Sequence, residues 1–295
     1  MSRDSKCEKF GGNFVGQQIV AKFASADMFH TMNKISATIL TFNEARLIEQ
    51  CLESLRDVAD EIIVVDSFST DATPEICRRS GCRVTQRRMA GFGVQRQYAT
   101  SLARYPYILS IDADEVLSPA LRQSLLRLKK EGFAHRGYKM SRLNFFCGYA
   151  VKHCGWYPDM QVRLFDRRYA SWCMSQINEQ VSFRDDITPE LLEGQILHYR
   201  CTTPDEYLRR CVKQAELKAR DMAESEAPVS SWQGLTSALG EFFSTYIRRG
   251  GIFDGSVGLA ISRRNYLACR HAYQEAIRLR EERRKELNQQ KIISE

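Results

Sequence analysis

The sequence predicts a doubly wound, mostly parallel α/β sheet with a helical C-terminal appendage. Two observations carry this expectation. Short apolar strand-like runs alternate with amphipathic helical runs from residue 35 to residue 112, joined by brief links. Beyond about residue 200 that alternation gives way to long stretches of helical periodicity.

The elements follow in order. ISATIL (35–40) is a strand, and EARLIEQCLESLRD (44–57) sets Leu47, Ile48, Cys51, Leu52 and Leu55 at helical spacing. EIIVVD (61–66) is almost continuously apolar, the mark of a strand buried on both faces of a parallel sheet. STDATPEICRRSG (69–81) reads as a helix closed by Gly81, CRVTQ (82–86) as a third strand, GVQRQYATSLARY (93–105) as a third helix and YILSID (107–112) as a fourth strand. GYKMSRLNFF, MQVRLFDRR, EQVSF and EGQILHY read as further strands after residue 135. A helix over 204–222 gathers Tyr207, Leu208, Cys211, Val212, Ala215, Ala219 and Met222 on one face. SWQGLTSALGEFFSTYIRR is helical, and AIRLREERRKELNQQ is a charged tail.

These elements divide the chain into an α/β domain over 34–200 and a helical region over 201–295. Residues 1–33 lack periodicity and read as a disordered tail, or as sequence upstream of a start at Met32.

The composition is that of an ordinary soluble globular protein, 43% hydrophobic and 27% charged. A net charge of +7 suits an anionic partner such as a nucleotide, a phosphorylated glycolipid or a membrane face, without calling for nucleic acid. No run of about 18 apolar residues is present, so no spanning helix is expected. The chain has ten cysteines but neither a signal-peptide pattern nor a C-x-x-C pair, which points to a reduced, cytosolic protein. Cys147, His153 and Cys154 lack the second pair that a zinc site needs.

In open α/β sheets, ligands bind beyond the carboxyl ends of the strands. Here those ends are TFNEA (41–45), DSFSTD (66–71), QRR (86–88) and DADE (112–115). No G-x-G-x-x-G follows the first strand and no G-x-x-x-x-G-K-[ST] occurs, so carboxylates rather than a glycine cradle would hold the ligand. Asp112 and Asp114 stand two apart and would face one way from an extended strand end, a costly pairing without a cation. A hard divalent ion bridging to a diphosphate answers that cost. A helix start with Pro119 at its first position also accounts for Asp114, Glu115 and Ser118, though not for Asp112.

LTFNEARLIEQCLESLRDVADEIIVVDSFSTDAT, GFGVQRQYATSLA and YILSIDADE resemble the family 2 glycosyltransferases in order and spacing. Within them the chain looks most like bacterial lipopolysaccharide core β-glucosyltransferases, over most of residues 34–270. The resemblance implies a GT-A-like version of the sheet, its domain over 34–200 binding nucleotide sugar and acceptor. It implies an inverting hexosyltransferase that uses a divalent metal, Mn²⁺ or Mg²⁺, to move glucose from UDP-glucose onto an inner-core heptose. The family's D-x-D motif falls on Asp112 and Asp114, with Asp114 on the metal and Asp112 toward the ribose. Asp66 matches the acid that reads uracil, and Phe42, Asn43 and Glu44 the loop lining the nucleoside. Arg96, between Gln95 and Gln97, matches an Arg-Asn pair facing the nucleotide, with Gln97 replacing the commoner Asn. His198 matches a further metal ligand.

RLFDRRYASWCMSQINEQV keeps an acid at Glu179, the expected base, but has Asn178 where His is common. Asp159, Asp185 and Asp186 are alternative bases. Trp156, Tyr157, Asp159 and Asn178 are expected toward the acceptor, with Arg163, Arg167 and Arg168 meeting its phosphates. A lipid-linked acceptor implies a cytoplasmic protein held peripherally at the inner face of the bacterial inner membrane, with the stretch FFSTYIRRGGIFDG against it. Two other readings share these carboxylates: a nucleotidyltransferase, and a sugar-nucleotide-binding module without catalysis.

Overall fold

The structure, a computed structural model, describes residues 33–173, 180–225 and 227–294. Strand β1 (Ile35–Thr41) is buried along its whole length because β2 (Glu61–Asp66) and β4 (Tyr107–Asp112) pair with it on either side, both parallel. This explains its unbroken apolar run. β3 (Arg83–Gln86) pairs outside β2, and its exposed residues suit an edge strand. The connecting helices are α1 (Ile48–Ser54), α2 (Thr73–Arg79) and α3 (Phe92–Ser101). All seven elements fall where the periodicity placed them. α1 is shorter than the 44–57 run, since Asn43 and Asp57 adopt positive φ and turn the chain at either end.

After β4 the chain makes a short strand, β5 (Glu115–Leu117), and then α4 (Pro119–Glu131). Ser118 caps α4, its Oγ accepting from the Leu121 N–H, and Pro119 opens it where a missing N–H costs nothing. β6 (Gly137–Phe146), β7 (Tyr149–Ala150), β8 (Asp159–Asp166) and β11 (Glu190–Cys201) complete the main sheet. β9 (Ala170–Trp172) and β10 (Val181–Phe183) form a separate hairpin.

The strand order is β3-β2-β1-β4-β8-β6-β11-β5, with β7 on β6. Six of the eight strands on this path run one way, while β8 and β5 run against them. The α/β class and the mostly parallel sheet are thus as expected. The two reversed strands matter for the site. Their starting residues, Asp159 and Glu115, come to the same sheet edge as the carboxyl ends of the others. The core lies beneath that edge and includes Ile35, Ile39, Ile48, Leu55, Ile111, Leu121, Met140 and Leu164, all fully buried.

Beyond β11 come α5 (Pro204–Glu224), α6 (Ser231–Phe243), a π turn over Ser244–Arg248, a 3₁₀ turn over Gly251–Asp254, and α7 (Gly255–Ser294). The charged tail is the end of this 40-residue helix, whose beginning the periodicity did not reveal. α5 and α6 both pack on α7 through small residues. Ala215 meets Ala268 and Ala272, and a Cβ on Gly234 would lie 2.7 Å from Tyr273. No described helix is long and apolar enough to cross a membrane.

Candidate active site

The DADE segment does not continue as one extended strand. β4 ends at Asp112 and Ala113–Asp114 form a turn, so the two carboxylates meet different partners. Asp112 Oδ1 accepts from Arg96 at 2.7 Å and Oδ2 from Arg163 at 3.2 Å. Burial pushes its carboxyl up, but Arg96 and then Arg163 outweigh burial and hold it well below the usual range. Glu115, fully buried, accepts from the Asp112 N–H, from Arg142 and from Arg163. The third acid of the motif is therefore an anchor beneath the other two.

Asp114 faces His198 on β11 and Arg210 on α5, each 3.4 Å from its Oδ2. Burial opposes ionisation here too, and is outweighed mainly by His198, so the carboxyl lies below its ordinary value. The tautomer of His198 follows from its other neighbour. Asn144 donates through Nδ2 to the Trp156 carbonyl and to Asp159, which turns its Oδ1 toward His198 Nδ1 at 2.6 Å. Nδ1 then carries a proton, and Nε2 faces the Asp114 carboxylate. An imidazole nitrogen facing a carboxylate at this distance calls for a proton or a cation between them.

This is a donor set that fits a divalent ion: one carboxylate, and one imidazole fixed by a hydrogen bond to its far nitrogen. Among the described residues no group of three or more His, Cys, Asp or Glu is poised to hold a metal. An ion at Asp114 and His198 would therefore take its remaining ligands from a diphosphate or from water.

The nucleoside-side candidates cluster at the ends of β1 and β2. Asn43 accepts from the Thr70 N–H and its own N–H reaches Ser69, tying the two strand ends together. Phe42 is 54% exposed beside it. Asp66 is buried and accepts from the Ser69 N–H, the Ser69 hydroxyl and Gln86. Glu44 is raised to about 7, chiefly by burial and then by Asp114, with Arg210 opposing. Arg96 is buried and reaches this edge through Asp112, while Gln97 accepts from the Trp172 N–H and pins β9.

On the other flank, Asp159 is committed to Arg142, Asn144 and Gln161 and so supports His198 from below. Trp156 is half-buried against Phe146 and Tyr207. Tyr157 is more exposed, its hydroxyl bonded to Gln195. Glu179 and Asn178 lie outside the described residues.

Three arginines expected at phosphates are otherwise engaged. Arg163 is buried under Asp112 and Glu115. Arg167 and Arg168 follow the end of β8, which, because β8 is reversed, lies at the opposite sheet edge beside the start of β4. Arg168 there clamps Asp166.

Asn144, Arg142 and Arg210 were not found from sequence. Nothing marks Asn144 within GYKMSRLNFF, and Arg210, four residues after Glu206, looks like half of a solvated helical ion pair.

The model of glycosyl transferase family 2 matches residues 36–139. The lipopolysaccharide core biosynthesis glycosyltransferase LpsC of Rhizobium meliloti is 30% identical over 201 residues, spanning 65% of this chain and 72% of LpsC. An uncharacterized glycosyltransferase of Rickettsia felis is 29% identical over 247 residues, spanning 77% of this chain and 84% of that protein. The chain belongs to family 2 of the glycosyltransferases. The solved structure of S. aureus TarS 1–349 covers 85% of this chain and 91% of its own at 14% identity, with a TM-score of 0.38, an overlap too low to argue from.

Proposed function

We propose that the protein is an inverting, metal-dependent hexosyltransferase that moves glucose from UDP-glucose to the inner core of lipopolysaccharide, at a heptose. The observation that carries the reading is the Asp114–His198 pair, with His198 Nε2 turned toward a buried carboxylate at the carboxyl edge of the sheet. The likeness to LpsC supports the lipopolysaccharide acceptor.

In this reading Asp114 and His198 hold the ion, which when bound neutralises charge on the leaving diphosphate. Asp112, fixed by Arg96 and Arg163, accepts from the ribose. Asp66 takes the uracil ring, and Phe42, Asn43 and Glu44 line the nucleoside. Glu179 removes the proton from the acceptor hydroxyl, on the face of the sugar away from the diphosphate. Trp156, Tyr157 and Asn178 border the acceptor, and Asp159 acts there through Asn144.

A lipid-linked acceptor places the protein in the cytoplasm at the inner face of the inner membrane. The exposed series Trp232, Leu239, Phe243 and Ile247, followed by Arg248, supports that placement.

The test is thermal melting with UDP, GDP, CDP and dTDP, each with and without Mn²⁺. A ligand at about 100-fold its dissociation constant stabilises by about 2.7 kcal/mol. A shift with UDP that needs Mn²⁺ is expected in the wild type and absent in Asp114→Ala. Glu179→Gln should keep that shift and lose sugar transfer. A Mn²⁺-independent shift, or an active Glu179→Gln, overturns the metal and base assignments respectively.

A further inference from the structure

Arg200 is an arginine at this edge that the mechanism leaves without a task. It lies on β11 two positions after His198 and is half-buried. Its guanidinium carbon sits 5.0 Å from the Trp156 ring centroid and 5.9 Å from that of Tyr207. Among the described residues it has no hydrogen-bond or ion-pair partner. Four other arginines of this corner have acids: Arg96 has Asp112, Arg142 has Glu115 and Asp159, Arg163 has Asp112 and Glu115, and Arg210 has Asp114 and Glu206.

The contrast has a physical consequence. Lying over an aromatic ring satisfies the face of a guanidinium but not its N–H groups, which project from its edge. In this half-buried cation those donors are open to water, and an anion that replaces the water gains charge-assisted hydrogen bonds. The site is near the ion-holding pair. The Trp156 carbonyl accepts from Asn144, which holds His198, and Tyr207 is three residues before Arg210, which touches Asp114.

We propose that Arg200, held over Trp156 and Tyr207, is an anion-binding residue that grips a phosphate or carboxylate group at the transfer site. The anion is either the diphosphate of the nucleotide donor or an acidic group on the acceptor. The inference rests on reading this edge as the transfer site, and its test separates the two.

Calorimetry would compare wild type, Arg200→Ala, Arg200→Gln and Arg200→Lys. Each would be titrated with UDP plus Mn²⁺, and with inorganic phosphate both alone and after saturation with UDP and Mn²⁺. If the diphosphate is the anion, UDP affinity falls about ten- to hundredfold in the Ala and Gln variants and is partly restored by Lys. If the acceptor supplies the anion, UDP affinity is unchanged, while phosphate binds the loaded wild type and not the Ala or Gln variants. Equal binding of both probes by wild type and Arg200→Gln overturns the proposal and leaves Arg200 as a lid on the aromatic cluster. Should wild type fail to bind UDP, the UDP-sugar reading falls, and phosphate binding to the unloaded protein still decides the role of Arg200. Arg200→Gln retains a polar side chain of moderate length, so the comparison stands if Arg200→Ala fails to fold.

Discussion

Asn144 Oδ1 lies 2.6 Å from His198 Nδ1, and the amide is held in that orientation by the Trp156 carbonyl and Asp159. This keeps a proton on the imidazole nitrogen away from Asp114 and leaves Nε2 turned to the side where an ion would sit. Asn144→Ala frees the ring to change tautomer. The expected result is a ten- to hundredfold loss of Mn²⁺ affinity in the presence of UDP. The nitrogen chemical shifts of His198 in the metal-free variant should report a mixture of tautomers. A single Nδ1–H form in Asn144→Ala would show that something else orients the ring.

Arg163 joins Asp112 to Glu115 under the turn that carries Asp114. Replacing it with Met leaves Glu115 in a fully buried position with Arg142 as its one remaining cation among the described residues, beside the Asp112 N–H. Removing one partner of a buried ion pair costs about 3–5 kcal/mol, so urea unfolding of Arg163→Met should show a loss of that order. Adding Glu115→Gln should recover part of it, because the stranded charge is gone. No recovery in the double variant would place the loss in packing.

Glu44 is raised to about 7 by burial and by Asp114. A carboxyl whose folded value exceeds its unfolded value binds more protons in the native state between the two. Stability contributed by Glu44 is therefore complete below about 4.5 and is lost as pH rises through about 7. In metal-free protein, Glu44→Gln should be more stable relative to wild type at pH 8 than at pH 4. Melting curves across that range check the sign, and a difference that does not change with pH would remove the assignment.

Gly194 lies on β11 where the register with β6 shifts, at φ +100°, and an added Cβ would come within 2.1 Å of the Leu121 backbone nitrogen. Backbone at the start of α4 cannot yield as a flexible side chain would. Gly194→Ala is expected to cost about 3 kcal/mol, from left-handed strain plus overpacking, read as a melting point lower by on the order of 5–10 °C. A melting point equal to wild type would mean that α4 moves freely over the sheet.

Phe243 and Ile247 are 54% and 61% exposed and flank a shallow hollow at Gly240, beside Arg248. Phe243→Glu with Ile247→Glu should weaken cosedimentation with vesicles rich in anionic lipid and leave UDP binding unchanged. Undiminished sedimentation would show that this face does not meet the membrane.

Much of the fold was legible because its signals are local. β1, β2 and β4 announce themselves as apolar runs, since strands covered on both faces admit little else. Ser118 and Pro119 mark the start of α4 because a cap is satisfied within one turn. Asp112 and Asp114 stood out because acids are expensive at a strand end. The two acids do not share an extended strand, however: the chain turns after Asp112 and gives each acid its own partners.

By itself, then, the sequence determined the alternation of elements, the carboxylates at one sheet edge and the likeness to a family of sugar transferases. Tertiary structure decided the roles of the cations. Arg163, Arg168, Arg200 and Arg210 are equivalent as letters, yet one is buried under the motif, one clamps Asp166 at the far edge, one lies over Trp156 and one reaches Asp114 from α5. The reason is range. A cap or a buried strand is written in neighbouring residues, whereas the partner of a charge depends on strand direction and on pairings that span tens of residues. The reversal of β8, which sends Asp159 to the site and Arg168 away from it, has no counterpart in local pattern.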